Sequence, residues 1–81
     1  DYVFEKDYKL MKLDELKTFI NQEKHLPGVP NQKQVLVDQK GQYNMTEMQM
    51  AMLEKIEELT LYTLQQEEAI RELQKLVKAK E

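Results

Sequence analysis

Residues 45–80 read MTEMQMAMLEKIEELTLYTLQQEEAIRELQKLVKAK, with no proline or glycine. Set in sevens, the run yields one seam: Met45, Met52, Ile56, Leu59, Thr63, Gln66, Ile70, Leu73 and Val77. Its members lie three or four residues apart, except for one gap of seven in which Gln49 can sit. This is the a/d pattern of a coiled coil sustained over about five heptads. A helix of about 36 residues is about 54 Å long, which is more than one small domain covers. The seam therefore calls for other helices, and copies of the same chain are the expected source. Burying its seven apolar members is worth at most on the order of 10–20 kcal/mol per chain before entropy. That exceeds the stability of most small domains.

Strand number has two readings. Ile56, Ile70 and Val77 at a, with Leu59 and Leu73 at d, fit a parallel dimer by the usual rule. Leu53, Tyr62 and Leu76 widen the apolar surface beyond a narrow dimer seam. Thr63 and Gln66 form consecutive polar layers, which a wider core with some water tolerates better. A homotrimer is expected ahead of a homodimer.

A second stripe, Met50, Leu53, Leu61 and Leu64, occupies positions b, e, f and b of the first half. It needs a cover. Upstream, Leu10–Lys24 reads as a helix whose Leu13, Leu16, Phe19 and Ile20 share one face. Asp14 and Glu15 suit its first turn, and Lys24 and His25 its last. Lys12 stands where a capping Ser, Thr or Asp is usual, and Pro27 stops the helix. This short helix is expected to fold back on the long one around residues 50–64. Beyond Gln65 the second stripe ends, so a bare coil is expected there, with Glu68–Arg71 and Glu72–Lys75 as weak i,i+3 pairs.

The linking segments read as an extended aromatic arm at 1–9, with Tyr2, Phe4 and Tyr8 on one side, and a rigid turn, HLPGVP, at 25–30. Asn31 can cap a single turn over 32–37. A further turn follows at 38–42, and Asn44 or Thr46 can cap the long helix. The fold class is thus all-α. Residues 1–44 form a cap of arm, short helix and turn, packed on the first half of a long parallel coiled-coil helix at 45–81.

Composition narrows the function. The 81 residues carry a net charge of -3 and no cysteine. That gives no electrostatic case for nucleic acid, and no disulfide or thiolate site. No apolar run spans a bilayer, so no membrane insertion is expected. The chain opens at Asp1, which reads as a piece of a longer protein. His25, the sole histidine, lacks partners for a metal and is expected to pack at a helix end or bond the turn. Glu57/Glu58 and Glu67/Glu68 diverge by about 100° on a helix and read as a solvated face. Met45, Met48, Met50 and Met52 suit irregular packing where coil meets cap. Tyr2, Phe4, Tyr8 and Tyr43 anchor the arm. No nucleophile, base and oxyanion donors assemble, so neither an enzyme nor a cofactor is expected.

Three segments, DYVFEKDYKL at 1–10, HLPGVP at 25–30 and LEKIEELTLY at 53–62, together resemble the C-terminal domain of many tail-fibre-like surface proteins of Bacteroidota. The likeness spans nearly the whole chain in order. It departs at Lys12 and Asn31, where serine is expected, and at Thr46, where glycine is. The resemblance implies an extracellular or cell-surface location and a role in registering and capping three chains of a fibre or adhesin. It is distantly similar to the self-cleaving chaperone domains of phage tail spikes, but those use a serine and this chain has none. The alternative function is a docking module recognised by a secretion or surface protein.

Overall fold

The computed structural model describes residues 1–30 and 45–80. Among them are a 3-10 turn at Tyr2–Phe4, helix α1 at Leu13–Glu23 and helix α2 at Met45–Ala79, with no strand. The all-helical class and the short-then-long order agree with the sequence reading. The expected turns at 32–37 and 38–42, and the caps at Asn31 and Asn44, lie outside the described residues, as does Tyr43.

Helix α2 runs for 35 residues without a break, about 52 Å at the usual rise. This length dominates the molecule's 63 × 28 × 17 Å extents. Everything else described packs near the first half of α2 or not on α2 at all.

The arm is not extended. Phe4 N–H donates to Asp1 O at 3.0 Å, Glu5 N–H to Tyr2 O at 3.1 Å and Tyr8 N–H to Glu5 O at 3.1 Å. Two successive tight turns replace the period of two with a period near three, and this reverses the facing. Val3 becomes the buried residue, 1% exposed, while Tyr2 and Phe4 face outward at 57% and 51%. The turn packs on α2. Val3 therefore fills the place expected of the aromatics.

Helix α1 starts three residues later than the periodicity suggests. Lys12 is its N-cap in extended conformation, with no side-chain cap, and Asp14 and Glu15 occupy the first turn, where the helix dipole favours anions. It ends at Lys24, whose N–H still donates to Ile20 O and whose left-handed φ of 61° turns the chain that follows out of the helix. The stop thus precedes Pro27 by three residues. Next, Val29 N–H donates to Leu26 O at 3.2 Å, around Gly28 at φ +76°. Pro then Gly with positive φ is the arrangement of a type II turn.

One expectation is corrected here. The α1 face does not lie along the outer stripe of α2. Leu13 and Ile20 are 46% and 38% exposed, and Met50, Leu53 and Leu64 are 61%, 42% and 60% exposed. Only Leu16, Phe19 and Leu61 are half-buried. The reason lies in which α2 positions are covered. Met48, Ala51, Lys55, Glu58 and Tyr62 are half-buried or buried, spaced three and four apart at heptad positions g and c. The N-terminal segment sits on this line, beside the g edge of the seam, and leaves the e/b flank open.

Candidate interaction site

The covered line on α2 is a polar lattice built around a greasy pin. Tyr62, 9% exposed, donates its hydroxyl to Met11 O at 2.6 Å. That carbonyl lies just before α1, so the bond ties the start of α1 to the middle of α2. Tyr8 donates its hydroxyl to the Glu58 carboxylate. Lys55 Nζ sits 2.9 Å from the other Glu58 oxygen and 3.4 Å from Glu54 Oε1. Glu58 is consequently not part of a solvated face: it accepts from a tyrosine on one side and a lysine on the other. The 25–30 turn lies over the same lysine, since a Cβ on Gly28 would stand 3.7 Å from Lys55 Nζ.

The electrostatics follow from this crowding. Tyr8 has its pKa pushed up to about 12, first by burial, then by the hydrogen bond to Glu58 and that carboxylate's charge. Tyr62 is also raised, by burial and then by Glu58, with Lys55 pulling the other way. Both hydroxyls stay protonated and act as donors, which is what the lattice uses.

His25 serves the turn. Its Nδ1 lies 2.9 Å from both Leu26 O and Val29 O. Carbonyl oxygens only accept, so Nδ1 carries the proton and donates to both. Its ring meets Phe19 edge-on at 5.6 Å. Tyr2 and Tyr8 meet similarly at 5.5 Å, so Tyr8 anchors the arm while Tyr2 stacks on the anchor.

The seam presents a continuous open face. Met45, Met52, Ile56, Leu59, Ile70, Leu73 and Val77 are between 42% and 64% exposed, and Thr63 and Gln66 are exposed between them. Thr63 already donates its hydroxyl to Leu59 O at 2.9 Å, so one polar layer has its donor satisfied within its own helix. Beside Ile56 and Leu59 the cap forms an apolar groove of about 450 Å³, walled by Met11, Leu16, Leu26 and Pro27 and floored partly by Tyr62.

Tyr8, Lys55, Glu58 and Met11 escaped the sequence reading as a set. Lys55, Glu58 and Tyr62 at spacings of three and four were the available signal, masked because two of the three are charged. Among the described residues, no three His, Cys, Asp or Glu side chains converge as a metal site would need, and no helix is long and apolar enough to cross a membrane. No protein-family model, curated protein or solved structure matches the chain.

Proposed function

We propose that this chain is an oligomerisation and capping module: three α2 helices join in parallel along the a/d seam, and each N-terminal segment covers the outside of its own helix. By resemblance, the parent is a fibre-like or adhesin-like exported protein. One observation carries the reading. The seven apolar seam residues from Met45 to Val77 are 42% to 64% exposed, on a helix whose second half has no other described element against it. Soluble chains rarely leave so long an apolar stripe open. The cap supports the same reading, because it covers the g/c line and leaves a and d free.

Sedimentation equilibrium at tens of micromolar tests it. The unchanged chain should run at three times its 9.7 kDa mass, and Leu73→Asp should run as a monomer, because a carboxylate at a buried d position is strongly disfavoured. A monomeric unchanged chain would overturn the proposal and leave the face to a different protein, such as a secretion or surface component.

A further inference from the structure

We infer that the cap of each chain also clasps its neighbour: the groove beside Leu16, Leu26 and Pro27 receives the flank carrying Leu53 and Leu64 of a second copy. This rests on the parallel coil proposed above and adds a second contact to it.

Among the described residues, two apolar surfaces that flank the seam in the capped half of α2 stand open. One is the groove, which opens on the g side of the seam at the height of residues 55–62. The other is the e/b flank, where Met50, Leu53 and Leu64 are 61%, 42% and 60% exposed. In a parallel coil the g side of one helix faces the e side of the next at nearly the same height. The rotation that closes the seam therefore carries the neighbour's flank onto this groove. Each chain gives one groove and one flank, so the contact is head-to-tail and closes into a ring.

Charge and continuity agree. The groove rim carries Lys9, which is exposed, and the facing flank carries Glu57, which is half-buried. The groove shares Ile56 and Leu59 with the seam, so a copy seated on the seam is the body that reaches it. The occupant is accordingly a second copy, and the cover first expected from α1 for Leu53 and Leu64 is supplied in trans.

The absence of cysteine makes the test direct. Lys9→Cys and Thr60→Cys place thiols on the rim and on the flank at exposed positions, where folding is little disturbed. The two single variants are mixed, exchanged by unfolding and refolding, and treated with a short bismaleimide. The mixture should give a Lys9–Thr60 linked product several-fold above either variant alone. Val77→Cys, oxidised separately, reports the coil itself by linking to its own copy. If Val77→Cys links and the mixed pair does not, the clasp is wrong and the coil stands. If neither links, both fall.

Discussion

The two halves of α2 share one heptad register and have different lives. In residues 45–64 the g/c line reads Met48, Ala51, Lys55, Glu58, Tyr62, and all of these are shielded. In residues 65–80 the same line reads Gln65, Ala69, Glu72, Leu76, and all are exposed. The first half is held by groups about fifty positions away in sequence: Tyr62 to Met11 and Tyr8 to Glu58. The second is held, within the described residues, by local pairs alone, Arg71–Glu67 at 2.9 Å and Lys75–Glu72 at 3.5 Å. The lesson is that an a/d seam does not decide what lies behind it. The back of the helix is decided by whether a lysine, a glutamate and a tyrosine recur at the right spacing.

The contrast can be broken most severely at Tyr62. Tyr62→Ala removes the pin and its hydrogen bond, and should cost about 3 kcal/mol in urea or thermal melts. Near-native stability would mean that the cap is held elsewhere. Gly28→Ala tests the turn above Lys55. There is room for the methyl group, since the nearest atom is 3.7 Å away, so the cost is that of holding alanine at positive φ, about 1 kcal/mol. Tyr8→Phe sharpens the comparison through pH. The folded pKa of Tyr8, about 12, lies above the ordinary 10.0. Its contribution is therefore complete below pH 10 and is lost as pH rises from 10 to 12. The unchanged chain should lose more stability than Tyr8→Phe across that window, and parallel curves would remove Tyr8 from the lattice. The smallest effect is expected in the bare half: Arg71→Ala should cost no more than about 0.5 kcal/mol by circular dichroism melts. A larger loss would mean that this half is packed after all.

Much of this was legible in the residues. The long helix and the short helix before it follow from periodicity, and the HLPGVP turn from its prolines and glycine. Lys12 as an uncapped N-cap and His25 as a turn-binding residue were both readable from position. The Arg71 partner was not, because Glu67 and Glu68 both lie within reach on one helix and spacing does not choose between them. The arm was misread because Tyr2, Phe4 and Tyr8 mimic a strand's alternation, while Val3 is the residue small and apolar enough to be enclosed. The covered g/c line was hidden for a different reason. Its burial satisfies charges rather than excluding them, and hydrophobic periodicity has no sensitivity to that.

The Tyr62–Met11 bond has one more consequence. The phenol holds the residue just before α1 to a side chain 51 positions downstream, so the point where the chain enters the short helix is pinned to the middle of the long one. Whatever moves that point of α2 carries the entry of α1 with it.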